Sequence, residues 1–181
     1  MKSRLKALCL LLAAALLAGG CASSYHLGTA LPREQRCILV APVANKTPEA
    51  ILGTQVRHAL QERLSQTPGL RLAEPGGGNA GLKVEVTLVE LDQRNLARAR
   101  TRNKKSRHHD GDAYQPVLYR LTLRAKWRAV PMGGEGARIR TGEAVGTADM
   151  PLTADKETAQ RSALRQAAMD LAAHIVDAIA D

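Results

Sequence analysis

The residues of this 181-residue chain whose types and spacing could do chemistry are mainly its arginines. Arg98, Arg100 and Arg102 stand at alternate positions, and Arg120, Arg124 and Lys126 all fall on even positions of a second stretch. Alternate side chains of a strand share a face, so pairing of 94–102 with 117–128 as a hairpin would gather the six cations on one sheet face. Like charges so placed repel unless an anion or an acidic surface covers them. A guanidinium fork bonds two oxygens at once and so suits phosphate. An acidic wall of a protein partner is a second reading, and a solvated basic face that blunts edge pairing is a third.

Other candidate chemistry is weaker. His108-His109-Asp110-Gly111-Asp112 sits in a polar tip, where adjacent histidines rarely reach one ion with good geometry, and no second ligand group stands at a recognisable spacing. Ser65 and Ser162 fall in helical stretches without an evident histidine and acid beside them, and His26, His58 and His174 are scattered. Pro75-Gly76-Gly77-Gly78-Asn79 lacks the lysine and following Ser/Thr of a phosphate-cradling loop. Cys37 precedes an apolar run and reads as a small buried hydrophobe. No catalytic constellation emerges, and neither an enzymatic activity, a metal nor a cofactor is expected.

The amino terminus fixes the compartment. Lys2, Arg4 and Lys6 precede an apolar run from Ala7 to Leu17, and Leu16-Leu17-Ala18-Gly19-Gly20 leads into Cys21. A charged start, a short apolar middle and small residues before a cut site are the parts of a secretory signal peptide. A helix of about 11 residues rises only about 16 Å, half of a hydrocarbon core, so it does not suit a transmembrane span. The cysteine after Ala-Gly-Gly resembles the lipobox of bacterial lipoproteins. That resemblance implies a lipoprotein signal peptide over 1–20, with Cys21 carrying diacylglyceryl and N-acyl (palmitate-type) chains. Two or more chains make a lasting anchor. Ala22 follows where an aspartate would retain a lipoprotein in the inner membrane, so the resemblance implies the outer membrane, periplasmic side.

Removal of 1–20 leaves 161 residues, enough for one compact domain. The net charge is +9, of which Lys2, Arg4 and Lys6 supply three, so +6 remains. In an exported lipoprotein the counter-charge is anionic lipid or lipopolysaccharide rather than nucleic acid. Phenylalanine is absent and Trp127 is the single tryptophan, so the core must rest on Leu, Val, Ile and Ala.

The elements that must position the cations read in order. After an acylated tether over 21–36, Cys37-Ile38-Leu39-Val40 is a short buried strand. Thr47-Pro48-Glu49 opens a helix, with Thr47 as its cap, and Leu52, Val56, Leu60 and Leu64 make its apolar stripe before Pro68-Gly69. Leu70-Arg71-Leu72 is a second strand. Leu82 to Leu88 alternates with the even positions inward. A β-bulge at Leu88-Val89 turns the odd positions Val89, Leu91, Ala97 and Ala99 inward, leaving Arg94, Arg98, Arg100 and Arg102 on the face away from the helices. Residues 117–129 alternate throughout, with 103–116 as a solvated tip, and Arg138 to Thr147 form a glycine-broken edge strand. Thr153-Ala154-Asp155-Lys156-Glu157 opens a last helix with Leu164, Ala167, Leu171, Ile175, Ala178 and Ile179 in its stripe. The expectation is a single α+β domain over 37–181, two-layered, with two helices on one face of a mostly antiparallel sheet of four to five strands.

Cys21, then Tyr25-His26-Leu27-Gly28, then a strand into Ala41-Pro42-Val43-Ala44-Asn45-Lys46-Thr47 and a helix: this order resembles the LptE-like lipopolysaccharide-assembly lipoprotein family. The resemblance implies an outer-membrane lipoprotein that sits in the lumen of a large outer-membrane β-barrel translocon, assists its assembly and binds lipopolysaccharide during transport to the cell surface. Arg98, Arg100, Arg102, Arg120, Arg124 and Lys126 are then candidates for its phosphates. The alternative is an accessory lipoprotein or adaptor of another envelope transport or secretion complex.

Overall fold

A computed structural model describes residues 29–74, 76, 78–101, 113–133, 138–152 and 155–181, and only the backbone at 100, 101 and 113–116. Residues 1–20, read above as a signal peptide, and Cys21, Arg102 and the His108–Asp112 cluster lie outside the described residues. Six strands and two helices follow a short 3-10 turn at Arg33–Gln35: β1 (Cys37–Val40), β2 (Ala44–Asn45), α1 (Leu52–Gln66), β3 (Arg71–Leu72), β4 (Leu82–Thr101), β5 (Ala113–Pro131), β6 (Arg140–Pro151) and α2 (Lys156–Ala180). They form one sheet of order β3-β1-β4-β5-β6, with β2 pairing β4.

The fold is α+β as expected, with two differences. The sheet has six strands, and it is mixed: β1 runs parallel to β3 and β4, and β2 runs parallel to β4. The cause is α1. A helix between two strands carries the chain back to the end where it began, so its flanking strands β1 and β3 pair in parallel. The successive strands β4, β5 and β6 instead pair antiparallel.

The core lies between the helices and one sheet face. Leu52, Val56, Ala59, Leu60 and Leu64 of α1 and nine residues of α2, from Ala163 to Ile179, are buried there. Leu82, Val84, Val86 and Leu88 of β4 and Leu121, Leu123, Ala125, Trp127 and Ala129 of β5 meet them. In the absence of phenylalanine, α2 lies close to the sheet through small residues (Ala163, Ala167, Ala168 and Ala172). Ala178, expected in this stripe, is exposed, and Val176 is buried in its stead.

Both helix starts differ from the sequence reading. Thr47 does not cap α1, which begins at Leu52 without a side-chain cap. Instead its N–H and hydroxyl both donate to Asn45 Oδ1, at 2.9 and 2.8 Å, while Asn45 Nδ2 donates to the Glu49 carbonyl at 2.8 Å. An Asn side chain that bonds backbone two residues on builds a turn of its own, and that turn uses Thr47. At α2 the cap is Asp155, whose side chain accepts from the Thr158 N–H at 3.0 Å; Thr153 lies outside the described residues.

The glycines of β6 do not break it. A Cβ at Gly142 would come within 2.7 Å of the Trp127 indole, and one at Gly146 within 2.1 Å of the Ala167 carbonyl oxygen. Each glycine lets another group approach the strand backbone, so β6 continues to Pro151, four residues past the expected end. Along its outer edge, Thr147 N–H donates to Asp170 Oδ2 at 2.8 Å and Val145 O lies 2.7 Å from His174 Nδ1. Helix α2 thus occupies ladder groups that an edge strand would leave open.

Candidate ligand-binding face of the hairpin

Strands β4 and β5 are 20 and 19 residues long and form one extended antiparallel hairpin. Their inner sides are apolar, so the charged residues between must face outward. Register shifts between Leu88 and Glu90, and again around residues 95–98, interrupt the pairing. The first is the expected bulge, but it does not turn Val89 inward. Val89 is 43% exposed, and with Arg124, Lys126, Glu143 and Val145 it borders a hollow on the outer face. The phase changes only after it: Leu91, opposite Leu123, packs against the core. Ala99, another residue expected inside, is exposed.

The outer face is a ladder of opposite charges rather than a bare field of cations. Arg120 is the register partner of Asp149 and grips it with two bonds, Nε to Oδ1 at 2.7 Å and NH2 to Oδ2 at 3.0 Å. Arg124 faces Glu90 at 3.4 Å, Lys126 faces Glu143 at 3.4 Å and Arg128 faces Glu85 at 4.0 Å, each directly across a strand pair. Lys83 reaches Glu85 at 2.8 Å and Arg94 reaches Asp92 at 2.6 Å along their own strand. Cross-strand pairs of opposite sign favour the sheet. The hydrogen bond from Lys83, with its charge and that of Arg128, holds the Glu85 carboxyl below its ordinary value. The bond from Arg120 does the same for Asp149, which in turn raises the guanidinium. Arg94 and Arg120, directly opposite each other, tolerate the like-charge pairing because each has its own carboxylate.

The six cations of the sequence reading are therefore not brought into one cluster. Lys126 pairs with Thr87, and Arg98 is eleven residues further along β4; at 3.3 Å per residue the two are roughly 35 Å apart. Arg120, Arg124 and Lys126 lie on the sheet body, each beside an acid. Arg98 pairs with Pro116 and Arg100 with Tyr114, in the part of the hairpin that runs past the last β6 pairing at Leu118. Arg98 is exposed and has no ion-pair partner among the described residues. Reasoning from types and spacing missed the acids, which lie on β4 and β6; Asp149 and Glu143 become visible only once β6 is given its register. Among the described residues there is no cluster of three or more metal-ligating side chains, and no helix is long and apolar enough to cross a membrane.

No curated protein matches the chain. Among solved structures, a PelC dodecamer variant from Paraburkholderia phytofirmans is similar in fold, at 16% identity and TM-score 0.50, covering 85% of this chain and 95% of that one. The rare lipoprotein B of Shewanella oneidensis aligns at 14% identity and TM-score 0.47, over 78% of this chain and 93% of that one. The family description for LptE, lipopolysaccharide-assembly, matches residues 36–179, which run from the start of β1 to the last turn of α2. With that match spanning the whole two-layer domain, the chain belongs to the LptE lipopolysaccharide-assembly family.

Proposed function

We propose that this LptE-family protein is a non-enzymatic lipoprotein, acylated at Cys21 and held on the periplasmic side of the outer membrane. There it assists assembly of the lipopolysaccharide-export β-barrel and binds lipopolysaccharide on its way to the cell surface. Membership of the family supports a part in lipopolysaccharide assembly. The barrel as partner and the lipid as ligand are this proposal's own steps.

The observation that carries the ligand reading is the uneven pairing along the hairpin. Arg120, Arg124 and Lys126 would have to release Asp149, Glu90 and Glu143 before taking a phosphate. Arg98 has no such competitor among the described residues, and in the sequence Arg100 and Arg102 continue its alternation, with Lys104, Lys105 and Arg107 following. Phosphate contacts therefore begin at the Arg98 end, and the paired cations contribute a weaker, longer-range attraction. Titration of lipopolysaccharide onto the protein tests this. Replacing Arg98, Arg100 and Arg102 by serine should weaken binding by at least about tenfold, the loss expected for one charge-assisted hydrogen bond. Replacing Arg120, Arg124 and Lys126 should weaken it less. Equal affinity of the first variant and the parent would end the ligand reading. Affinity purification from outer membranes that brings down no large β-barrel would end the partner reading.

A further inference from the structure

Helix α1 turns a second side, away from its apolar stripe, towards the chain that leads from β1 into β2. Thr54, Arg57, His58 and Gln61 recur at the three- and four-residue spacing that shares one side of a helix. With Val43 and Asn45 they line a hollow of about 450 Å³. Gly53 lets the two segments close on each other, because a Cβ there would already touch the Val43 carbonyl oxygen at 3.4 Å and Asn45 Cβ at 3.5 Å. The Asn45 turn forms the facing wall, and its Nδ2 is taken by the Glu49 carbonyl at 2.8 Å.

Every polar side chain on that side of α1 can donate, and none is occupied. Arg57 offers the several N–H groups of its fork, Gln61 an amide, Thr54 a hydroxyl and His58 a ring N–H. Among the described residues none of the four has a hydrogen-bond or ion-pair partner. The Arg57 Nε is moreover buried without an acceptor, which costs free energy for as long as it stays unmatched. A small rotation that presents Nε and a terminal nitrogen together to one oxyanion would end that cost. No acid lines the hollow. The carboxylates nearest along the chain are engaged elsewhere: Glu49 accepts from Gln160 Nε2 at 3.2 Å and Glu62 from Gln66 Nε2 at 3.4 Å. Arg63, further along the same helix, is by contrast paired with Asp177 at 2.8 Å. Gly53 and Thr54 lie in the first turn of α1, which has neither a side-chain cap nor an acid, so the positive end of the helix adds to the guanidinium charge.

We infer that this hollow is a binding site for a phosphate ester, held by Arg57 and completed by Thr54, His58 and Gln61. A planar carboxylate is matched by the guanidinium fork alone, whereas further donors along one helix side suit the additional terminal oxygen of a phosphate. A hollow of about 450 Å³ also has room for the group that carries the phosphate. The site lies on α1 and the Arg98 end on the hairpin, so the two fail or stand separately. The full protein, purified from cells in dodecyl maltoside, is titrated with inorganic phosphate and with glycerol phosphate at constant ionic strength. The backbone amide resonances of Gly53 and Thr54 and the Arg57 Nε–H resonance are followed. The site predicts saturable displacement of all three, and binding at least about tenfold weaker in Arg57→Gln, the loss expected for a charge-assisted hydrogen bond. Thr54→Val with Gln61→Leu, which spares the guanidinium, should bind at least about threefold more weakly, and Arg98→Ser should bind the ester as the parent does. Lipopolysaccharide titrated onto Arg98→Ser separates the sources: displacement of the Arg57 resonance makes the phosphate that of the lipid, and a response to glycerol phosphate alone makes it that of a soluble ester; either bears out the site. Sodium chloride that displaces the resonances as phosphate does, or parental affinity in Arg57→Gln, overturns it. Should Arg57→Gln fail to fold, parental affinity in the Thr54 and Gln61 double variant overturns it as well. Acetate that binds as tightly as phosphate overturns the phosphate as ligand.

Discussion

The contact of α2 with β6 predicts a severe defect from one methyl group. In Gly146→Ala the new Cβ would stand 2.1 Å from the Ala167 carbonyl oxygen, 2.6 Å from the Leu171 nitrogen and 2.7 Å from Leu171 Cβ. Ordinary contact begins near 3.4 Å, so helix and strand must part by about 1.3 Å, and backbone atoms cannot rotate aside as a side chain does. Overpacking of this kind costs about 1–3 kcal/mol. Moving the helix also strains the Thr147–Asp170 and Val145–His174 contacts, each worth a further ~1 kcal/mol. A loss of roughly 3 kcal/mol lowers the melting temperature of a domain this size by about 6–12 °C. Gly142→Ala should cost less, since the Cβ meets Trp127 ring atoms at 2.7 Å and the ring can tilt. Gly133→Ala should be neutral, because nothing lies within 4 Å. Thermal unfolding followed by circular dichroism ranks the three. A Gly146→Ala protein that melts within about 2 °C of the parent, or a series in another order, refutes the account of how α2 seats on the sheet.

Three further outcomes are expected. Asn45→Ala removes the acceptor of both Thr47 bonds and the donor to Glu49, and should cost ~1–2 kcal/mol, read as a lower urea midpoint; an unchanged midpoint would show that the turn is held otherwise. The carboxyls of Glu85, Asp149 and Asp155 are held below their ordinary values, first by hydrogen bonds from Lys83, Arg120 and Thr158. A depressed carboxyl lends stability that is complete above its unfolded value and disappears as pH falls through its folded value. Their contribution should therefore hold steady from neutral pH down to the ordinary carboxylate range and fall only below it, and replacing the three by their amides should flatten that acid limb in a pH series of melting temperatures. Asp170→Ala combined with His174→Ala should free the Thr147 N–H, whose hydrogen exchange then accelerates by about tenfold; an unaltered rate would mean that those side chains do not shield the strand.

Much of this architecture can be read from residue patterns. The thirteen-residue alternation of 117–129 identifies the central strand, and the apolar stripe from Leu52 to Leu64 identifies the first helix, because in both the burial period repeats several times. Local features deceive where a distant group decides them. Gly142 and Gly146 look like interruptions until Trp127 and α2 are set against them. Thr47-Pro48-Glu49 has the composition of a helix start, yet Asn45 captures it for a turn. The parallel pairing of β1 and β3 follows from a crossover rather than from either strand's composition. The cationic face shows the same limit: the arginines alternate visibly along one segment, whereas the acids beside them come from neighbouring strands whose register no local pattern declares.

The shielded margin of β6 has a consequence for how this domain can meet other chains. With Asp170 and His174 holding its ladder groups, that margin offers an incoming strand little to bond. On the far side of the hairpin, β4 beyond Leu88 has β5 for company and no second neighbour among the described residues. Growth of the sheet is thus biased to a single flank, the one that carries Arg94 and Arg98. A guest that extends the body of the sheet would have to arrive there, because along β6 the opposite margin is already occupied by α2.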